Sequence, residues 1–459
     1  MSKRALIVLA AALFGAGFAF AALDARAQHT PDNTAIVTID TSATARIADI
    51  VAFRENFMAV DHAYSPAARA EAERRITALK NSAATVSQAY FELELSRIVA
   101  LADNGHTAVF PFLRAPHFNR IPIRLATFGE DFYVVRAAPE YADLLGARLV
   151  SIDNHAITEL RTASRSLMGG ENGWRDRYAN YLFESPEQLN ALNLASSTDG
   201  AVYGFALNGS DVERRINAAP GQEALSFSTG MTRDLQPAPI DSQSGWRTLL
   251  DPANAPWSLQ SPEQRHRWRN APEIDGIVIE LRQNNDAETE SIADALARFD
   301  AAITQHHPRN VVLDMRLNSG GDLNTTRDFV QSLPARIPGR IFVLTSPWTF
   351  SAAISTTAYL KQAAPERVTI VGEHVGDRLQ FFAEGGPEAL PNSHLMILAA
   401  RERHDYVTGC EGFTDCHGNV VRNPIRVPNL DIQIAAPWTI EAYAAGRDPG
   451  MEAVVAALR

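Results

Sequence analysis

Between Asn310 and Gln380 the sequence runs NVVLDMRLNSGGDLNTTRDFV, then RIFVLTSPWTFSAAISTTAYLK, then RVTIVGEHVGDRLQ. It holds three short apolar runs, Val311–Met315, Ile341–Leu344 and Val368–Val371. Runs of this length read as buried parallel strands, and the segments between them are long enough for crossover helices. A polar turn follows each run. Open α/β sheets gather such turns at one edge, where their sites form. One of these turns ends in Ser351, followed by small residues and a predicted helix, which is where a nucleophile is expected.

The beginning of the chain reads differently. Lys3 and Arg4 precede an apolar, small-residue stretch from Ala5 to Ala22, and Ala25-Arg26-Ala27 forms a small-x-small site before Gln28. This predicts a secretory signal peptide over 1–27, and an exported protein, periplasmic or extracellular. A retained anchor is the alternative, since the run is near the minimum spanning length. No cysteine stands directly after it to take a lipid anchor, and no other segment is apolar enough to span a membrane. The remaining chain of about 430 residues fits two or three domains.

The formal net charge is −11, with no basic block. That argues against nucleic acid as a partner. Neither a GxGxxG nor a phosphate-loop motif occurs, so no phosphate cofactor is expected. The twelve histidines form no His-Glu-x-x-His pattern, and no metal is expected. Cys410 and Cys416, in an exported chain, predict a small disulfide loop. A zinc site with His404 and His417 is the competing idea, but the spacing matches no common zinc pattern. His404-Asp405 is a weak metal candidate that reads better as surface, and His306-His307 is a solvated pair at a helix end.

Residues 28–40 read as a leader. From Ile47 to about Ala102 the spacing of Phe91, Leu95, Ile98 and Leu101 is helical, with a helix start at Ser65-Pro66. Asp103-Asn104-Gly105-His106-Thr107 breaks it. Ile121–Leu125 and Asp131–Ala137 alternate as strands do. LLGARLVSIDNHAITEL, residues 144–160, resembles the middle of a PDZ-type peptide-binding domain and equally fits any hairpin with an Asp-Asn turn. Residues 165–270 predict irregular strands and connections. Regular structure resumes with strand Gly276–Leu281 and helix Glu288–Gln305. The predicted domains are a helical segment 28–118, a PDZ-like β domain 119–215, an irregular connection 216–269 and an α/β domain 270–459.

Ser351 and Thr349 each fit a plain helix N-cap, and Asn318-Ser319-Gly320-Gly321-Asp322 fits a plain strand-to-helix turn. Their combination is more specific. A Gly-Gly turn on one strand beside a Ser-Ala-Ala helix start on the next places N–H donors beside a hydroxyl.

In its motifs the chain resembles the tail-specific, or C-terminal processing, serine peptidases, in the branch with tricorn protease and interphotoreceptor retinoid-binding protein. The residues that carry this are VVLDMRLNSGGDL, TFSAAI, VTIVGEHVG, LPNSHLMI at 390–397, GRDPGMEA at 446–453 and the Asp103–Thr107 element. The match covers about 270–459, with a looser one over 85–170. It implies a crotonase-like (ClpP/crotonase) catalytic domain. It also implies Ser351 as nucleophile, the N–H groups of Ala352 and of Gly320 or Gly321 as oxyanion hole, and a peptide or protein substrate.

Two departures matter. Ser-Lys members carry a lysine about 25 residues after the serine, but here Gly376-Asp377-Arg378 occupies that region, and Lys361 falls on the serine's own helix. The resemblance therefore implies the histidine-using branch, with His106 as base; imidazole suits proton transfer at neutral pH. That branch has a serine before the histidine, linked to a glutamate, where this chain has Gly105 and Arg422. If His106 is the base, its orienting partner is either missing or comes from elsewhere, with Glu373 and Glu411 as unranked candidates. Three functions follow: an exported serine peptidase, a non-catalytic binder of a lipophilic ligand, and a peptide-binding scaffold. The oligomeric state is not legible.

Overall fold

A computed structural model describes residues 39–220, 235–237 and 243–459. The expected signal segment 1–27, and nearly all of the leader, lie outside the described residues.

Three helices open the described chain: α1 (Ala43–Ala52), which runs on into a π-helical turn at Phe53–Met58, α2 (Pro66–Ser82) and α3 (Gln88–Ala100). Ser65 Oγ accepts from Ala68 N, and Pro66 stands in the first turn of α2. Both satisfy an N-terminus whose first donors lack intrahelical partners. Phe53, Phe57, Ile76, Phe91, Leu95 and Ile98 share one core with Leu395, Ile397 and Ala399 of a distant hairpin. That hairpin pairs β11 (Gln380–Ala389) with β12 (Met396–Asp405). Buried Asp61 joins the pieces: its Oδ2 accepts from Thr107 Oγ1 at 2.9 Å and from Ala400 N at 2.7 Å. Burial raises its carboxyl pKa against these bonds, so the bonds are needed to hold the charge. The helices thereby fix the turn that carries His106.

An antiparallel sheet follows, with β1 (Ile123–Phe128), β2 (Asp131–Ala137), β3 (Arg148–Ile152), β4 (Gly200–Leu207) and β5 (Ser210–Asn217) adjacent in that order. Asp153 and Asn154 take φ of 44° and 68°, as a tight two-residue turn requires. The expectation of irregular structure over 165–270 is corrected here. Short helices occupy Asn172–Asp176, Asn180–Phe183 and Pro186–Ala191, and β4 and β5 form a full hairpin. The outer strand, SDVERRIN, is mostly exposed and carries no apolar alternation to read.

The six-stranded sheet contains β6 (His266–Ala271), β7 (Gly276–Leu281), β8 (Asn310–Asp314), β9 (Ile341–Thr345), β10 (Val368–Gly372) and the pair Ile434–Ala435. All neighbours run parallel except β6 against β7. Val311 faces Ile341, and Val343 faces Ile370. Successive residues point to opposite faces. Val311 and Leu313 join one core with Phe299 of helix α4 (Ile292–His306), Val330 of α5 (Arg327–Arg336) and Ile354 of α6 (Ala352–Ala363). Val312, Phe342 and Leu344 meet Val454 of α7 (Pro449–Ala457) on the other face. With both faces covered, the strands must be apolar throughout, which is why they were legible.

Candidate active site

Ser351 closes the turn between β9 and α6. Its backbone adopts φ 54° and ψ −124°, a conformation that costs a non-glycine residue about 1–3 kcal/mol. Surrounding bonds impose it. Thr349 Oγ1 donates to Met315 O and accepts from Ser346 N, Ser346 Oγ donates to Arg316 O, and Phe350 N donates to Asn318 O. Thr349 is thus committed to the turn, and Ser351, although at the N-cap position, makes no capping hydrogen bond. The plain capping role fits neither residue. A serine strained at a strand-to-helix turn presents its Oγ outward, the arrangement seen at nucleophile elbows.

Gly320 lies directly against this serine. A Cβ on Gly320 would stand 2.6 Å from Ser351 Cβ, and its φ is 108°, so both space and backbone require glycine. Its N–H donates to Asn318 Oδ1 at 2.9 Å. Gly320 as an N–H donor to substrate is therefore corrected: that donor is already spent. Among the described residues no hydrogen bond takes up the Gly321 N–H, and the Ala352 N–H begins α6 without an intrahelical acceptor. A buried polar network clamps the two segments together. Asn318 Nδ2 donates to Asn284 Oδ1, and Asn284 Nδ2 donates to Ala352 O and Thr356 Oγ1. The sequence reading missed Asn284, which lies 34 positions before Asn318.

His106 is buried and stacks on Phe350, the neighbour of Ser351, with ring centroids 4.4 Å apart. It also stacks on Phe381 at 4.9 Å. Its turn is tied to β11, since Asn104 Nδ2 donates to Phe382 O and Asn104 Oδ1 accepts from Phe382 N. The Nδ1 of His106 faces Asp377 Oδ2 at 3.7 Å. Both are buried, and neither imidazole nitrogen nor that carboxylate oxygen has a hydrogen-bond partner.

Asp377 is the carboxylate that the structure places beside His106, and the sequence reading did not single it out. Glu373 is corrected: it pairs with Arg177 at 3.1 Å. Glu411 is corrected too: it is exposed at the disulfide loop formed by Cys410 and Cys416. Gly105 explains the exchange. A Cβ there would stand 2.8 Å from Asp377 Oδ2, so a serine before His106 and an aspartate at 377 compete for one space. An aspartate next to Gly376, which occupies the expected lysine position, together with a glycine before the histidine, was the available signal. Lys361 Nζ is bonded to Pro365 O and Val368 O at the end of α6.

Arg378 holds the Asp377 loop in place. It donates to Asp103 O and pairs with Asp103 and Glu171, both at 2.9 Å. Burial alone would weaken its charge, but Asp103, Glu171 and Asp377 outweigh that and raise its pKa. Gly376 N donates to Thr349 O, which joins this loop to the Ser351 turn. Nearby, an open cavity of about 450 Å³ is lined by Arg75, Arg97, Arg165 and Arg175. Each of these arginines already faces a carboxylate. One further cluster brings Glu384, His404 and His417 together.

No protein-family model and no curated protein matches the sequence. Among solved structures, mature CPAF complexed with lactacystin aligns with a TM-score of 0.55 at 13% identity, over 91% of this chain and 98% of its own. A serine-to-alanine mutant of CPAF aligns with the same TM-score at 12% identity, over 88% and 95%. The photosystem II D1 C-terminal processing protease aligns over 92% and 98% at 12% identity, with a TM-score of 0.38. The photosystem II neighbour is by name a C-terminal processing protease, the group whose motifs the sequence resembles. At this identity the likeness to CPAF is one of fold.

Proposed function

We propose that this chain is an exported, tail-specific-protease-like serine endopeptidase with Ser351 as nucleophile, His106 as base and Asp377 as the acid that orients it. The observation that carries the reading is the strained, uncapped Ser351 at a helix start, one residue from the ring on which His106, itself facing Asp377, stacks. Export rests on the sequence of residues 1–27 alone.

Ser351 Oγ attacks the peptide carbonyl carbon, and its proton passes to His106 Nε2, the nitrogen turned away from Asp377. The oxyanion is received by the Gly321 and Ala352 N–H groups, at the positive end of α6. Collapse breaks the C–N bond, and His106 returns the proton to the leaving amine. Water then repeats the sequence on the acyl-enzyme. Asp377 fixes the imidazole and stabilises its charged form. The 3.7 Å separation is longer than a hydrogen bond, and such contacts tighten when substrate binds. The crotonase-like domain of 270–459 supplies Ser351, Asp377 and the oxyanion donors, the segment 28–118 supplies His106, and the PDZ-like β domain of 119–215 presents the peptide.

A fluorophosphonate serine-hydrolase probe tests this on the full chain, Ser351→Ala and His106→Ala. Labelling of wild type that is lost in both variants supports the assignment. Labelling that survives Ser351→Ala overturns it. The second reading is a non-catalytic binder, favoured by the lack of any hydrogen bond between His106 and Ser351. Folded wild type that never labels, and that carries an apolar ligand, selects it.

A further inference from the structure

We propose that Glu384, His404 and His417 bind one divalent transition-metal ion of the zinc type. Among the described residues they are the one group of three His, Cys, Asp or Glu side chains placed to share an ion, with donor atoms all within 4.8 Å of one another. Two imidazoles and a carboxylate make a three-ligand set with a fourth position open.

The strongest argument lies behind the donors. His404 Nδ1 is held by Tyr406 Oη at 3.0 Å, and His417 Nδ1 by Glu402 Oε2 at 2.6 Å. Each ring is therefore oriented through one nitrogen, which leaves Nε2 for a ligand bond; metal-binding histidines are oriented in this way. His404 Nε2 is buried with no hydrogen-bond partner, although Glu384 Oε1 stands 3.2 Å from it. The contact is close but misdirected for a hydrogen bond. The two rings lie nearly parallel, with centroids 5.3 Å apart.

The backbone is shaped for the cluster. Glu384 sits at a bulge in β11 with φ 65°, where the register to β12 shifts on either side. Bulges re-aim side chains, and a glutamate in the left-handed region is unfavourable unless something holds it there. His417 arrives from another segment. Its N–H donates to Arg403 O at 2.9 Å, and Cys416, next to it, is bridged to Cys410. The disulfide loop thus presents a ligand to the hairpin. Ligand atoms on tetrahedral zinc are about 3.3 Å apart, so the cluster closes by little more than a side-chain adjustment. Glu384 and His417 are part-exposed, which gives the ion a way in.

The test uses the full chain stripped with a chelator and titrated with Zn²⁺ against a chromophoric competitor, with thermal unfolding followed in parallel. One equivalent is expected to bind and to raise Tm. Glu384→Gln and His417→Gln are each expected to weaken binding at least tenfold and to shrink the Zn²⁺-dependent Tm shift. His62→Gln, outside the cluster, should leave both intact. Circular dichroism of the metal-free variants confirms that they fold. Wild type that binds no Zn²⁺ at 100 μM, or binding equal in all four proteins, overturns the proposal. It does not depend on the peptidase reading.

Discussion

His106 Nδ1 and Asp377 Oδ2 stand 3.7 Å apart, both buried and both without a hydrogen bond. They come from segments 271 positions apart, and the pair exists because Gly105 has no side chain to fill the space between. If Asp377 orients the base, Asp377→Asn should slow serine labelling by roughly 10²–10⁴-fold with folding unchanged. Rates within twofold of wild type would remove Asp377 from the mechanism.

Gly320→Ala tests the contact beside the serine. The added methyl would meet Ser351 Cβ at 2.6 Å in a backbone conformation that favours glycine. We expect labelling to fall at least 100-fold and stability to drop by about 1–3 kcal/mol in urea titrations. Full labelling would mean that the turn has room to move.

Strain at Ser351 makes an opposite prediction for stability. Ser351→Gly should abolish labelling yet raise the unfolding free energy by about 1 kcal/mol, because glycine tolerates φ 54°. Ser351→Ala keeps the strain and should gain nothing. Equal stabilities of the two variants would show that the backbone is relaxed.

The GRDPGMEA motif has a structural role that chemical denaturation at several pH values can read. Asp448 pairs with Arg316 at 2.7 Å, and Arg316 also pairs with Asp314 at the end of β8. Burial raises the Asp448 pKa, but the Arg316 charge and hydrogen bonds outweigh it and hold the carboxyl below its ordinary value. A lowered carboxyl pKa gives stability that is fully present above the unfolded value and is lost as pH falls through the folded one. Asp448→Asn should therefore cost about 3–5 kcal/mol at pH 7. Its deficit relative to wild type should shrink below about pH 4. A deficit that does not change with pH would assign the loss to packing.

Several features of the fold are legible in the sequence alone. The strands at Asn310–Asp314, Ile341–Thr345 and Val368–Gly372 announce themselves because a sheet covered on both faces must be apolar along its whole length. The Ser65 cap and the place of Ser351 at a helix start follow from local backbone chemistry. The hairpin Gly200–Asn217 was legible and was missed: Asn208-Gly209 is a strong turn signal, and both residues have positive φ.

Everything that depends on distance between remote segments was decided by the tertiary structure. The sequence offered Glu373 and Glu411 with nothing to rank them, but the fold turned one toward Arg177 and the other to solvent, and brought Asp377 to His106. In the same way it spent the Gly320 N–H on Asn318 and gathered Glu384, His404 and His417 around one point. The physical reason is that apolar periodicity and capping are encoded within one or two turns of chain. A buried polar group instead takes whichever partner the packed core places within about 3 Å.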